Sequence, residues 1–162
     1  HWTAGDGRTG CPEIENSSLK GQVTVKKQDI LFLCTGNSCR SQMAEGWLRH
    51  LGGERFCAYS AGTEPATLNP LTVKVMAEAG VDVSGHLAKN VVLFAEKEFA
   101  YVVTVCGGAR EVCPVFPGKA NRLHWELEDP AAATGSEEQR LSVFRKIRDQ
   151  VKVNVEEFLK NH

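Results

Sequence analysis

The chain has 162 residues, with 19 basic and 20 acidic side chains and a formal net charge of -1. This length suits one domain with a sizeable core, and the 42% hydrophobic and 24% charged residues exclude a disordered or fibrous protein. The balanced charge offers no basic surface for nucleic acid or an anionic membrane, and no apolar run approaches the roughly 20 residues of a membrane-spanning helix.

The first part of the chain differs in character from the rest. Residues 1–26 contain scattered glycines and serines with little periodicity, which predicts a flexible leader or an added extension before a folded domain at 27–162. The amino end lacks the basic-then-apolar layout of a secretory signal, so we expect a cytoplasmic protein. Six cysteines in a chain with a full-sized core then favour catalytic or redox roles over a structural disulfide framework.

The remaining residues alternate between strand and helix patterns. Short apolar runs predict four strands, the last less marked: 30–33, 56–60, 101–105 and 122–125. Helical periodicity predicts three helices and one shorter helical piece: 43–51, 70–79, 137–158 and 91–98. Asn69 and Pro70 fit an N-cap and a first helical position. The pattern predicts a single α/β domain with a mostly parallel four-stranded sheet flanked by helices, whose ligands lie beyond the carboxyl ends of the strands.

An oxyanion cradle is predicted where the first strand meets the first helix, in the run Cys34-Thr35-Gly36-Asn37-Ser38-Cys39-Arg40-Ser41. Wrapping this loop around a tetrahedral anion points its backbone N–H groups inward, and Gly36 and Asn37 tolerate the left-handed backbone that this requires. Arg40 can hold two oxygens with its planar guanidinium. The same field favours the thiolate of Cys34, and a Ser41 hydroxyl adds a hydrogen bond, so Cys34 is the predicted nucleophile.

The run from Cys34 to Gly46 resembles, nearly residue for residue, the arsenate reductases built on the low-molecular-weight tyrosine phosphatase fold. The similarity covers about residues 29–160 and continues, in the family's order, through a series of short motifs: Tyr59-Ser60-Ala61-Gly62, Asn69-Pro70, Val103-Thr104-Val105-Cys106, Cys113-Pro114, His124-Trp125 and Asp129-Pro130. The resemblance implies that fold, with the anion-binding loop after the first strand.

The resemblance also implies roles for individual residues. It makes Cys34 the nucleophile, Cys106 and Cys113 a redox relay, and Asp129 the general acid. The implied anion ligands are Arg40 and the loop amides: Thr35, Gly36, Asn37, Ser38 and Cys39. The substrate would be arsenate, with phosphate or sulfate competing. No bound cofactor is implied, and thioredoxin would supply reducing equivalents, ultimately from NADPH through thioredoxin reductase. We expect a monomer without nucleic-acid or membrane partners.

Chemistry distinguishes a reductase from a phosphatase on this cradle. Water releases a phosphorus–sulfur adduct, whereas arsenic(V) bound to sulfur leaves as arsenite when a second thiolate attacks that sulfur. Cys106 ends a neighbouring predicted strand and is placed to attack Cys34, after which Cys113 can attack Cys106. The pair Gly107-Gly108 gives the intervening segment freedom to move. We expect the resulting Cys106–Cys113 disulfide to become exposed to an external dithiol.

The residues after the last predicted strand leave alternatives open. Asp129 before Pro130 suits a proton donor to a departing oxygen, although Asp-Pro is also a common turn. Ala131 and Ala132 follow where tyrosine phosphatases of this fold carry an aromatic residue, which weakens phosphotyrosine recognition. The alternatives are a phosphatase acting on phosphotyrosine or small phosphate esters, and a non-enzymatic thiol sensor of oxidant or arsenic.

Four residues correspond to a potassium site that some relatives carry. Some relatives place a carboxylate near position 89, where with Asn37, Glu45 and Ser60 it completes an oxygen cage for potassium. Lys89 supplies a charge but no ligand oxygen. We therefore expect Asn37, Glu45 and Ser60 to tie the loop down by hydrogen bonds, with Lys89 in place of the cation.

The other cysteines and histidines receive less specific interpretations. We expect Cys39 to face the scaffold and Cys57 to pack as a small apolar residue in a buried strand. No cysteine pair has the spacing of a zinc site, so no metal is expected. Three isolated histidines are expected on the surface or in packing roles: His50, His86 and His124.

Overall fold

The fold is described from a computed structural model, in which residues 14–15, 24–25, 27–107 and 116–162 are described. Cys113 lies outside these residues. Two short strands, β1 (Ile14–Glu15) and β2 (Thr24–Val25), pair antiparallel within the segment predicted as a leader. The division of the chain at residue 26 stays a prediction.

The main sheet has four strands, all parallel: β3 (Gln28–Cys34), β4 (Phe56–Gly62), β5 (Tyr101–Cys106) and β6 (Asn121–Glu126). Their spatial order is β4-β3-β5-β6, so β3 has β4 on one side and β5 on the other. The predicted parallel four-stranded sheet is confirmed. Because β3 and β5 are neighbours, the cysteines that end them share one edge of the sheet.

Three α-helices accompany the sheet: α1 (Arg40–Gly52), α2 (Pro70–Glu78) and α3 (Glu137–Asn161). The predicted N-cap is confirmed, because the Asn69 side chain accepts a hydrogen bond from the Leu71 amide at 2.9 Å. The predicted helical piece at 91–98 is shorter, a 3-10 helix at Val91–Phe94, and a second 3-10 helix spans Pro130–Ala132. No helix in the described ranges is long and apolar enough to cross a membrane.

The sheet is buried on both faces, which accounts for the continuous apolar runs in its strands. Alternating residues of β3 enter two cores: Ile30 and Phe32 face the helices α1 and α3, while Leu31 and Leu33 face the opposite side. The first core holds the apolar stripe predicted for the last helix: Leu141, Phe144, Ile147, Val151, Val155 and Phe158. The second core is an aromatic cluster of Tyr59, Phe94, Phe99 and Phe116. Packing on both sides fixes the strand ends, where the candidate site lies.

Candidate active site

The loop between β3 and α1 is fixed by backbone contacts on its outer side. The amide of Glu64 donates to the Thr35 carbonyl at 2.9 Å, and the amide of Ala66 donates to the Gly36 carbonyl at 2.9 Å. Asn37 takes the predicted left-handed backbone, with φ 48°, but the expectation for Gly36 is wrong, because its φ is not positive. One left-handed residue suffices to turn the chain, since the next residues lead directly into the helix.

Cys34 lies at the bottom of this loop with its side chain almost fully buried. Its Sγ is 2.8 Å from Ser41 Oγ and accepts a hydrogen bond from the Asn37 amide at 3.1 Å. Ser41 Oγ accepts from Asn37 Nδ2 at 2.8 Å, which leaves the hydroxyl proton free to point at the sulfur. When the Ser41 hydroxyl donates, the sulfur accepts two hydrogen bonds, an arrangement that orients it as a nucleophile. The predicted contact between Cys34 and Ser41 is confirmed.

Arg40 is buried at the start of α1 and is braced by the segment after β6. Its Nη1 donates to the Leu127 carbonyl at 2.8 Å, and its Nη2 lies 4.0 Å from Asp129 Oδ2. The guanidinium is thus held in one orientation beside the loop. The structure thus brings Arg40 and Asp129 together beside the loop that begins at Cys34.

The position of Asp129 is compatible with both predicted roles, a structural turn and a proton donor. Its Oδ1 accepts a hydrogen bond from the Ala131 amide at 3.0 Å and so caps the 3-10 helix Pro130–Ala132. Its side chain is nevertheless 38% exposed, and its Oδ2 faces Arg40. A carboxyl group that is fixed by one oxygen and open to solvent can still transfer a proton through the other.

A layer of polar side chains supports the loop from beneath, and the sequence reasoning missed its central member. Gln42 Nε2 lies within hydrogen-bond distance of the Asn37 carbonyl (3.1 Å), Asn37 Oδ1 (3.0 Å) and the Leu87 carbonyl (2.9 Å). Asn37 Oδ1 also accepts from the Lys89 amide at 2.8 Å. The left-handed residue is therefore held from several directions. Nothing in the local sequence pattern singles out Gln42, because its partners lie in loops distant along the chain.

Glu45 is the charged centre beneath this layer, and it is fully buried. Its Oε1 accepts from Ser60 Oγ at 2.8 Å and lies 3.7 Å from Lys89 Nζ. Its Oε2 accepts from Arg49 Nη2 at 2.9 Å and lies 3.1 Å from His86 Nδ1. Burial would raise the pKa of this carboxyl, but the charges of Lys89 and Arg49, together with the hydrogen bond from Ser60, outweigh burial and lower it. Ser60 and the Lys89 ammonium both contact Glu45, whereas the expected tie to the loop is made by Asn37, through Gln42 and the Lys89 amide.

His86 is buried, and its expected packing role takes a specific form. Its Nε2 lies 2.8 Å from Arg49 Nη1, and a guanidinium can only donate, so Nε2 is an acceptor. The ring proton then lies on Nδ1, which is 3.0 Å from Gln42 Oε1 and 3.1 Å from Glu45 Oε2. Burial lowers the pKa of His86, so the ring is neutral at neutral pH. A chain of hydrogen bonds thus runs from Arg49 through His86 and Gln42 to Asn37 in the loop.

Among the described cysteines, Cys34 and Cys39 are free thiols, whereas Cys57 and Cys106 are disulfide-bonded. The last two are not bonded to each other, because they lie at opposite ends of the sheet, about 20 Å apart along the strands. Cys39 faces the core as expected, and burial raises the pKa of its thiol. The expectation of a free Cys57 is wrong, since disulfide bonding depends on proximity in space, which spacing in the sequence does not reveal.

Cys106 lies one register position beyond Cys34. Leu33 pairs with Thr104 in the parallel ladder between β3 and β5, so Cys34 is level with Val105. Adjacent strands then bring the Cα atoms of Cys34 and Cys106 to about 6 Å, within reach of a disulfide. Strand alternation, however, points the Cys106 side chain to the opposite face of the sheet. The two cysteines therefore lie on neighbouring strands, but their side chains leave opposite faces of the sheet.

Two glycines allow the close packing around the loop. A Cβ on Gly62, the last residue of β4, would lie 2.9 Å from the Asn37 amide nitrogen and closer still to the Thr35 carbonyl oxygen. A Cβ on Gly107 would meet the backbone of Leu127, whose carbonyl accepts from Arg40. Gly107 was predicted to supply mobility; its observed role in this structure is close approach. Gly108 lies outside the described residues.

The other two histidines agree with their expected roles. The ring of His50 contacts the Trp47 ring edge-on at 6.1 Å. His124 Nδ1 lies 2.9 Å from Thr104 Oγ1 on an exposed part of β6.

Comparisons with known proteins agree with this geometry. Residues 29–161 match the family model described as low molecular weight phosphotyrosine protein phosphatase. The chain is 44% identical over 134 residues to an arsenate reductase of Bacillus subtilis, spanning 83% of this chain and 96% of that protein.

Solved structures that resemble this chain include arsenate reductases. An arsenate reductase in the phosphate-binding state aligns with a TM-score of 0.71 and 34% identity, over 83% of this chain and 98% of that one. A thioredoxin-dependent arsenate reductase from Corynebacterium glutamicum aligns with a TM-score of 0.62 and 28% identity, over 86% of this chain and 63% of that one. The chain therefore belongs to the low molecular weight phosphotyrosine protein phosphatase family, and within it to the arsenate reductases.

Proposed function

We propose that this protein reduces arsenate to arsenite, using Cys34 as nucleophile and a Cys34/Cys106/Cys113 disulfide relay that thioredoxin regenerates. The observation that carries the proposal is the pairing of a free Cys34 thiol, held by Ser41 and the Asn37 amide, with a disulfide-bonded Cys106 at the end of the next strand. A phosphatase needs the first of these features but not the second.

Arsenate binds in the loop, where the backbone amides of 35–39 and the Arg40 guanidinium hold its oxygens. The Cys34 thiolate attacks arsenic, and one arsenate oxygen leaves as water after Asp129 supplies a proton. The product of this step is a thiol–arsenate adduct in which arsenic is still pentavalent. Ser41 assists by donating to the sulfur before attack.

Reduction occurs when the adduct is resolved. This step starts from the form in which thioredoxin has already reduced the disulfide at Cys106. The Cys106 thiolate attacks the Cys34 sulfur, the arsenic–sulfur bond breaks, and its electron pair stays on arsenic, which leaves as arsenite. Both sulfurs are oxidised by one electron each, as a Cys34–Cys106 disulfide. Cys113 then attacks Cys106, which releases Cys34 as a thiolate and forms a Cys106–Cys113 disulfide. Thioredoxin reduces that bond, and NADPH supplies its electrons through thioredoxin reductase.

The first exchange requires the backbone to move at the end of β5. The Cα atoms of Cys34 and Cys106 are within disulfide range, but their side chains leave opposite faces of the sheet. Rotation of Cys106 toward Cys34 must displace Gly107 from its contact with the Leu127 backbone. Leu127 also anchors Arg40, so this movement and the release of arsenite are expected to occur together.

The proposal includes the setting of the reaction. A relay that ends in a disulfide needs a reducing compartment, which supports a cytoplasmic location, and the likeness to a thioredoxin-dependent arsenate reductase supports thioredoxin as the partner. Phosphate and sulfate should compete for the loop because they are tetrahedral oxyanions. We assign the catalytic domain to residues 27–162 and propose that it acts as a monomer without a bound cofactor.

The test is arsenate-dependent NADPH oxidation coupled to thioredoxin and its reductase, with each relay cysteine changed to serine. Cys34→Ser should form no adduct. Cys106→Ser should bind arsenate without releasing arsenite, and Cys113→Ser should stop after one turnover with a Cys34–Cys106 disulfide detectable by mass spectrometry. Lys74→Met, which removes only an exposed ion pair with Glu137, is the control and should turn over normally.

Two outcomes would contradict the proposal. Steady turnover by Cys113→Ser would exclude the third thiol from the relay. Hydrolysis of a phosphate ester such as p-nitrophenyl phosphate by the wild type, without any arsenate turnover, would identify the protein as a phosphatase instead. Arsenate binding with neither reaction would identify a sensor.

A further inference from the structure

A cavity of about 360 Å³ lies beside the candidate active site, between the start of α2, the 3-10 helix after Asp129 and the first turns of α3. One wall begins at Asn69, whose amide donates to the Ser38 carbonyl of the anion-binding loop at 3.2 Å. A second wall contains Pro130, the residue after Asp129. The cavity therefore adjoins the arsenate site but is separate from the loop that surrounds Cys34.

The chemistry of the cavity is set by Arg140, which lines it from α3. Its Nε is buried and has no hydrogen-bond partner in the described parts of the chain. The next two arginines of the same helix differ, because Arg145 and Arg148 both form ion pairs with Glu78. A buried N–H group without an acceptor is unfavourable, so an unpaired guanidinium favours an anionic occupant that can accept its hydrogen bonds.

The nearest acidic side chain does not fill this role. Glu137 also lines the cavity, one turn before Arg140, but its ion pair is with Lys74, at 3.8 Å, and both groups are exposed. The charge of Glu137 is therefore offset outside the cavity. Arg140 remains the charged group that is poised to bind an anion there.

The rest of the lining is largely apolar. Leu71, Pro130 and Phe144 form its walls, and Ala131 and Ala133 leave open space where larger side chains would project. A space of this size is much larger than a lone oxyanion. The lining fits a ligand with two parts, an acidic group that pairs with the guanidinium and an apolar body that packs on the walls.

We propose that this cavity is a binding site for small organic carboxylates in which the carboxylate is attached to an apolar body. The carboxylate accepts hydrogen bonds from Arg140, and the body packs between Leu71, Pro130 and Phe144. This inference does not rest on the proposed arsenate reduction, since it concerns a second site and a different ligand.

The test is a titration of the full-length protein with phenylacetate, followed by chemical-shift changes in ¹H–¹⁵N NMR spectra. Saturating phosphate is present throughout, so that phenylacetate does not bind at Arg40. Saturable binding is expected, with shifts concentrated near Arg140. Arg140→Gln should weaken binding about tenfold to a hundredfold, as expected for loss of a charge-assisted hydrogen bond. Arg122→Gln, on an exposed part of β6, is the matched control and should bind normally.

Further titrations test whether binding needs both the carboxylate and the apolar body. Acetate, which lacks the body, and benzyl alcohol, which lacks the charge, should each bind at least about tenfold more weakly than phenylacetate. Ala131→Phe should abolish binding by filling the space, and it keeps the test valid if Arg140→Gln does not fold. The proposal is overturned if phenylacetate shows no saturable binding, or if a folded Arg140→Gln or Ala131→Phe variant binds it as well as the wild type does.

Discussion

Replacing Gly62 by alanine tests whether the loop around Cys34 depends on close packing against β4. The new Cβ would lie 2.9 Å from the Asn37 amide nitrogen, whereas ordinary contacts begin near 3.4 Å, so Asn37 must move by about 0.5 Å and Thr35 by more. The loop cannot yield freely, because Gln42 and the Lys89 amide hold Asn37 from the other side. We expect a loss of about 1–3 kcal/mol in unfolding free energy.

The functional effect should be larger than the loss of stability alone implies. The Asn37 amide donates to Cys34 Sγ, so its displacement moves a group that holds the proposed nucleophile. A misplacement of this order can reduce the rate of a positioned reaction by about a hundredfold. We would measure kcat/KM for arsenate in the thioredoxin-coupled assay, phosphate affinity by ³¹P NMR, and stability by urea unfolding.

Gly52→Ala is the matched control for this substitution. Its Cβ would meet the end of the flexible Leu159 side chain in α3, far from the loop. It should lose stability without losing phosphate affinity or kcat/KM. If Gly62→Ala keeps wild-type phosphate affinity and activity, the close packing of β4 against the loop does not position Cys34, and the reasoning is refuted.

Three further substitutions test the buried network and a helix terminus. Between about pH 7 and pH 5 the wild type should lose unfolding free energy, because burial lowers the pKa of folded His86 and the unfolded chain therefore binds the extra proton. His86→Gln should lose less over this range, as measured by urea unfolding. Lys89→Met leaves buried Glu45 without its ammonium and should cost about 3 kcal/mol in the same assay, whereas Lys74→Met, which removes an exposed pair, should have no measurable effect. Ser136→Ala removes the capping box of α3 and should lower stability by about 1 kcal/mol in thermal unfolding.

The sequence predicted those features that depend on neighbouring residues. The apolar runs of β3 and β5 are continuous because both faces of these strands are buried, and the Asn69-Pro70 pair marks the start of α2 because capping is local. The left-handed backbone of Asn37 was predicted for the same reason, since a short loop between a strand and a helix must reverse direction within a few residues.

The features that the sequence did not reveal depend on contacts between distant residues. Gln42 and His86 are 44 positions apart, and their hydrogen bond exists because the loop before the 3-10 helix at Val91–Phe94 passes under α1. The disulfide at Cys57 likewise has no signature in the spacing of cysteines. The unpaired Nε of Arg140 follows from the packing of three separate segments, so amphipathic periodicity alone would place that residue on the helix surface.

The cap that Asp129 forms on its own 3-10 helix restricts how this side chain can handle a proton. Oδ1 is occupied by the Ala131 amide, so protonation there would require breaking a helix-terminal hydrogen bond, and Oδ2 is the oxygen left to carry the proton. Oδ2 is also the oxygen nearest Arg40. In the proposed mechanism, proton delivery is thereby confined to a single direction, along the side of the anion that the guanidinium would hold, and Asp129→Asn should preserve the cap while abolishing the transfer.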